Sequence, residues 1–333
     1  MNVEEIVVEN FQTRVRDLTE DVDGFLRELV PPEPSSLYDP VRHILSAGGK
    51  RVRPILTALA AYASESGTTP NWVAAGTAVE LLHTFTLVHD DIMDNAETRR
   101  GKPAVHIAYG RDAAILSGDV MIGLATRALS GYQGEWIREM LHEFSLGFVR
   151  VCEGQALDKA YENRHDIAHT DYHMMIRFKT ASIFELSAVL GAYVGGAHYV
   201  EPLRQFARHI GLAFQMSDDL LDLTAEHASF GKMIGGDILE GKRTFLFVEA
   251  MEHYATMTVE EKAFMDRIAS HSATTDDIPI AQMLFARLGV LDRTRNMIEE
   301  ETRTAQIALA ALPDSEHRGM LLSYSEFLLS RAM

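Results

Sequence analysis

Apolar residues recur at spacings of three and four through most of the chain, whereas sustained period-two alternation rich in β-branched residues is scarce. That pattern predicts an all-α fold. A first helix, about Val3 to Leu29, should stop at Pro31-Pro32-Glu33-Pro34, where amide donors are missing and the backbone is restricted. A second should begin near Tyr38 and run through the Gly48-Gly49 break into Arg53-Pro54-Ile55, the proline being suited to a helix start. Asn71 is the expected cap of a long helix ending at Asn95. Further helices fit Asp112 to Ser130, Gly134 to Tyr161, Asp171 to Tyr193 and Pro202 to Thr224. Thr258 and Glu261 have capping-box spacing, and helices are expected over 259–270, 278–311 and 315–331. No linker or change of composition divides the 333 residues, so one domain over 1–333 is expected.

Hydrophobic residues make up 47% of the chain, enough for a sizeable core. No run of 18 apolar residues appears, and Met1-Asn2-Val3-Glu4-Glu5 lacks the basic and apolar regions of a leader, which predicts a cytoplasmic protein. The net charge of −17 argues against nucleic acid or an anionic membrane as the main partner. A single cysteine, Cys152, excludes an internal disulfide and a cysteine-cluster metal site, and its helical neighbours predict a core thiol. In so acidic a chain the basic groups Lys50-Arg51-Arg53, Arg99-Arg100-Lys102 and Lys242-Arg243 become candidates for binding a small, highly charged anion.

Two aspartate-rich segments carry the strongest chemistry, Asp90-Asp91-Ile92-Met93-Asp94 and Asp218-Asp219-Leu220-Leu221-Asp222. On a helix the first and last carboxylate of such a segment share a face, about 6 Å apart along the axis. At an effective dielectric of about 20, two unit charges about 4 Å apart repel by roughly 4 kcal/mol, so carboxylates converging on one space require cations. Oxygen ligands with room for water and phosphate favour magnesium. Both segments close predicted helices, where carboxylates oppose the macrodipole, and this makes a purely structural role less attractive.

Gly48-Gly49-Lys50-Arg51-Val52-Arg53-Pro54 lets backbone amides approach an anion while Lys50 and Arg53 converge on its oxygens, though the Walker spacing is absent. On an ideal helix His83 projects about 20° from Asp90, with Asp94 about 40° from Asp90, so the three share a face. This segment, with Thr98-Arg99-Arg100-Gly101-Lys102-Pro103 after it, resembles the first aspartate-rich motif of the trans-isoprenyl diphosphate (polyprenyl) synthases. Gly48 to Pro54 is similar to their isopentenyl diphosphate loop. Gly154-Gln155 with Asp158, Lys179-Thr180, Gln215 before Asp218, and Gly231-Lys232, Gly236-Asp237 and Gly241-Lys242 follow in the family's order over about residues 40 to 245. The chain departs from many relatives at Ala181-Ser182 and at Arg243.

The resemblance implies an isoprenoid synthase-type helical bundle around a deep central cavity, homodimeric, condensing isopentenyl diphosphate with a dimethylallyl, geranyl or farnesyl diphosphate. It implies that Asp90, Asp94 and Asp218 hold three magnesium ions on the allylic diphosphate, with Asp222 a further ligand or one acting through water. Lys179, Lys242 and Arg99 would complete that clamp, with Lys232 and Gln215 beside it. Lys50, Arg53, His83 and Arg100 would hold isopentenyl diphosphate, and Thr180 and Gln215 would offer oxygen dipoles to the allylic cation. Asp91 and Asp219 would orient their neighbours.

Projection alone favours Thr86 over Phe85 for the Asp90 face, Phe85 lying about 140° away and about 7.5 Å down the helix. An aromatic at Phe85, a small residue after it and no insertion within Asp90 to Asp94 resemble the short-chain geranylgeranyl diphosphate synthases. Farnesyl diphosphate and longer chains remain as other products. A class I terpene cyclase would share one aspartate motif, but it carries serine or threonine where Asp222 stands and needs no second diphosphate cradle. A non-catalytic synthase subunit would have lost aspartates that are complete here. His165, His169 and His173 recur every four residues, as zinc ligands can, yet Thr170-Asp171 predicts a helix start between the second and third that would break their shared face.

Overall fold

The computed structural model describes residues 3–65, 70–162, 164, 166–225 and 234–329. Sixteen α-helices, one π-helical turn, three single-turn 3₁₀ helices and a hairpin of two two-residue strands make up its regular structure among those residues. In the first half of the chain these are α1 (Val3–Leu29), α2 (Ser35–Leu45), α3 (Val52–Ala63), α4 (Val73–Met93), the hairpin β1 (Thr98–Arg99) and β2 (Lys102–Pro103), α5 (Val105–Tyr109), α6 (Arg111–Ser130) and α7 (Ile137–Tyr161). Then come α8 (His169–Ile176), α9 (Ser182–Val194), α10 (Val200–Thr224), α11 (Gly236–Leu239), α12 (Phe245–Glu252), α13 (Val259–Ala269), α14 (Ile278–Arg287), α15 (Val290–Ala308) and α16 (Glu316–Leu329).

The all-α expectation holds, and several boundaries differ. Arg51, at a left-handed φ of 48°, starts α3, so the Gly48-Gly49 break separates two helices. The N-cap of α4 is Trp72, with no side-chain cap bond, so Asn71 does not serve there. The segment expected as one helix from Asp171 begins at His169 and passes through a π-helical turn, Arg177–Ala181, between α8 and α9. The segment 278–311 breaks at Leu288-Gly289. The capping box at Thr258 and Glu261 forms, with Thr258 N donating to Glu261 Oε2 at 2.9 Å. Cys152 is exposed on α7, not a core thiol.

Two compact units divide the chain. One comprises Met1–Phe148, Ile183–Gln205 and Ala308–Tyr324, the other Val149–Ser182, Phe206–Ile307 and Ser325–Met333. Within the first, α4 packs on α6, α3 and α1, burying Ala78, Val79, Leu81 and Leu82 against residues such as Leu56 and Met121. Each large apolar side chain so covered contributes about 1.5–3 kcal/mol. α6 is apolar and long enough by length and composition to span a membrane, yet only 44% of that stretch is buried. Its uncovered positions, among them Asp112, Leu116, Asp119, Gly123 and Arg127, recur at helical spacing. In the second unit α12 packs on α8, with Tyr172, Phe245, Phe247 and Phe264 in the core.

Candidate active site

In the first unit the tip of the β1–β2 hairpin docks on the loop between α2 and α3. Arg100 Nη1 donates to the carbonyl of Gly48, and Lys102 Nζ donates to Ser46 O at 3.2 Å. A Cβ on Gly49 would come within 2.7 Å of Arg100 Nη1, so a larger residue there would push the Arg100 guanidinium from its present seat. Arg53, at the start of α3, donates from Nη1 to His83 Nε2 on α4 at 3.0 Å. A guanidinium only donates, so Nε2 is the acceptor and the proton of the neutral ring lies on Nδ1. Desolvation, then Arg53, Arg100, Arg99 and Arg51, hold the His83 imidazole well below its ordinary value. Phe184 lies under the Arg53 guanidinium at 4.9 Å. Arg51 turns the other way, paired with Glu80 at 2.6 Å and Asp23 at 3.0 Å. The predicted isopentenyl diphosphate residues Arg53, His83 and Arg100 are thereby linked around one glycine loop, with Lys50 beside them in the chain.

At the end of α4 the three aspartates divide. Asp90 is partly exposed and Asp94 exposed, whereas Asp91 is completely buried and bonded to Arg99, whose Nε donates to Oδ1 at 2.9 Å. Asp91 Oδ2 is buried without a hydrogen-bond partner among the described residues. Desolvation opposes the charge on Arg99, but the Asp91 bond, with Asp90 and Asp94 nearby, raises its pKa overall.

The second motif, at the end of α10, repeats the division. Asp218 is exposed and Asp219 is 5% exposed. Thr180 donates to Gln215 Oε1 at 2.7 Å, Gln215 Nε2 to Asp219 Oδ1 at 2.8 Å, and the Tyr172 hydroxyl to Asp219 Oδ2 at 2.7 Å. Burial, with Asp237 adding repulsion, raises the Asp219 carboxyl to about 7. Asp222 accepts the Asp237 amide at 2.9 Å, which ties the motif to the start of α11. Lys242 lies 2.6 Å from Glu240 and 3.4 Å from Asp237. Lys179, on the π-helical turn, pairs with Asp158 at 2.5 Å. Backbones touch here: a Cβ on Gly154 would lie 2.1 Å from the Lys179 nitrogen.

Phe85 is 8% exposed, its ring tilted against that of His89 at 4.5 Å and edge-on at 5.4 Å to Phe148. Thr86 bonds back to His83 O on its own helix at 2.8 Å. Lys232 and His165 lie outside the described residues. His169 and His173 do share α8, contrary to the expected helix start, and both rings lie against Phe245, at 5.3 and 6.5 Å. His169 also pairs with Glu249 at 3.1 Å. Arg243, noted only as a departure, donates to the carbonyls of Glu162, Arg164, Gly241 and Ala269, a fully backbone-directed role that no spacing announces. Asp158 and Asp237 were legible as motif members, and their pairing with Lys179 and Lys242 was not.

A polyprenyl synthetase family model matches residues 34–283. The geranylgeranyl diphosphate synthase of Methanosarcina mazei is 35% identical over 322 residues, 95% of this chain and 97% of its own. The crystal structure of geranylgeranyl pyrophosphate synthetase from Pyrococcus horikoshii superposes with a TM-score of 0.88 at 33% identity, covering 97% of this chain and 98% of its own. A decaprenyl diphosphate synthase from Rhodobacter capsulatus also gives 0.88, at 28% identity over 98% and 99% of the two chains, so backbone similarity alone does not distinguish product lengths. With match and coverage of this extent, the chain belongs to the polyprenyl synthetase family.

Proposed function

We propose that the protein condenses isopentenyl diphosphate head-to-tail with allylic prenyl diphosphates, with geranylgeranyl diphosphate as its product. The observation that carries this reading is the Arg53–His83–Arg100 cluster on the Gly48-Gly49 loop. A cation-rich cradle distinct from the aspartate motifs makes sense for a reaction with two diphosphates. With His83 held neutral, its Nδ1 hydrogen can donate to a phosphate oxygen while Arg53 and Arg100 supply the charge. These residues, with Lys50, would hold the isopentenyl group so that its double bond meets the allylic carbon.

Asp90, Asp94, Asp218 and Asp222 are the proposed magnesium ligands, with three ions expected. The fit rests on the outward turn of Asp90, Asp94 and Asp218 and on their hard oxygens. Magnesium typically takes one or two carboxylates plus phosphate oxygens and water, and needs no all-protein cage. Bound magnesium would neutralise the charge developing on the departing diphosphate. Arg99, Lys179, Lys232 and Lys242 would bind the same diphosphate, and the Thr180–Gln215 pair would lie beside the allylic carbon. Apolar walls must exclude water from the cation. Phe85 and Thr86 are proposed to set product length. The two compact units would work as one catalytic domain, and the uncovered apolar positions of α6, Ile115 and Leu116 among them, support a homodimer.

Mass spectrometry of products from dimethylallyl, geranyl and farnesyl diphosphates, each with isopentenyl diphosphate and magnesium, tests the proposal. A twenty-carbon diphosphate is expected from all three. Cyclised hydrocarbon from a prenyl diphosphate alone, or no condensation, would sink it.

A further inference from the structure

Gln155 is absent from the predicted site, yet it is the side chain the second unit satisfies least. It is 9% exposed, and neither its amide oxygen nor its amide nitrogen has a hydrogen-bond partner among the described residues. Such an amide has two acceptor and two donor positions, and burying them unmet opposes folding. A fold retains a group of this kind when something other than its own stability requires it. The position names the requirement. Val151, Gly154, Gln155 and Asp158 form one covered stripe of α7, and two of them meet Lys179: Gly154 through its backbone and Asp158 through a 2.5 Å ion pair. Thr180 follows directly, its hydroxyl committed to Gln215. Gln215 in turn is engaged at both amide ends, by Thr180 and by Asp219. Of Gln155 and Gln215, Gln155 is the one with its carbonyl dipole unspent among the described residues.

We propose that Gln155 is a catalytic residue whose side-chain oxygen faces the allylic carbons and stabilises their positive charge in the transition state. The inference rests on the condensation reading above. When the allylic C1–O bond breaks, its electron pair leaves with diphosphate and positive charge spreads over C1 and C3. The terminal carbon of isopentenyl diphosphate then bonds to C1, and the proton lost from its C2 passes to a diphosphate oxygen. Gln155 forms and breaks no covalent bond. A preoriented dipole in a dry site stabilises the cation without reorganising when charge appears. An allylic diphosphate in its ground state carries no such charge, so the residue acts on turnover and not on binding.

The test compares wild type with Gln155→Met, close in size and without the amide, using geranyl diphosphate, isopentenyl diphosphate and magnesium. The expected result is a fall in kcat of about 10²- to 10³-fold. Both KM values should stay within about twofold, and Tm should be unchanged or raised, because an unmet buried amide has been removed. Activity within twofold of wild type overturns the inference, as does a raised KM at unchanged kcat. A lowered Tm also overturns it, since the amide would then be serving the fold. If wild type itself fails to condense these substrates, the proposed function fails first; if wild type is active and the variant is too, only the role of Gln155 falls.

Discussion

Asp90 and Asp91 are adjacent in sequence and differ in environment, the first partly exposed and the second enclosed with Arg99. Asp218 and Asp219 repeat the arrangement. The spacing announces the motif, while the division of labour depends on which side of the helix is covered. Asp90→Ala should therefore reduce turnover by about a thousandfold at unchanged Tm, because the proposed magnesium ligand is lost while the partly exposed carboxylate does little for the fold. Asp91→Ala should destabilise the fold by roughly 3 kcal/mol, since it strands the Arg99 charge. Thermal melts alongside kinetics separate the two, and a stable, inactive Asp91→Ala would contradict the assignment. At His83 the folded state resists protonation below the ordinary value of 6.5. The unfolded chain then binds the extra proton as pH falls, so this contribution is complete above about pH 6.5 and fades below it, by at most about 1.4 kcal/mol per pH unit. Urea midpoints between pH 5 and 7 should show that slope in wild type and a flatter one in His83→Gln.

At the level of elements, helical periodicity reveals α1, α4, α6 and α10 nearly to the residue, because proline, glycine and apolar spacing are local signals. The π-helical turn at Arg177–Ala181 has no such signature. It lies where a neighbour comes close, Gly154 on α7 admitting the backbone of Lys179. α12 was missed because eight largely buried residues show no amphipathic pattern. Gly154→Ala should cost about 1–3 kcal/mol of stability through overpacking and displace Lys179, lowering turnover beyond what the stability loss explains. A variant with normal melting and kinetics would show that the contact can relax. The α4 helix also bears Phe85, fixed between His89 and Phe148. Phe85→Ala should lengthen the product distribution by one or more five-carbon units, and unchanged products would move the floor to another side chain.

For the molecule as a whole, composition and periodicity made the fold class legible, and ordered motifs made the family legible. The division into two compact units, each assembled from three separated segments, was not legible, because no linker marks it. The uncovered stripe on α6 was also invisible, since an apolar helix reads as core until its neighbours are known. Leu116 is 56% exposed. Leu116→Glu should convert the proposed dimer to a 37.1 kDa monomer by sedimentation, and a variant that stays dimeric would place the interface elsewhere. The segmented units also constrain how the chain is made. The first unit has Phe148 in hand early but needs Ile183–Gln205 and Ala308–Tyr324 to finish, and Arg53 waits for its Phe184 contact. At roughly 5–20 residues per second, the ribosome delivers Tyr324 about 9–35 s after Phe148. Throughout that interval the early helices of the first unit hold apolar surface that only the later segments cover.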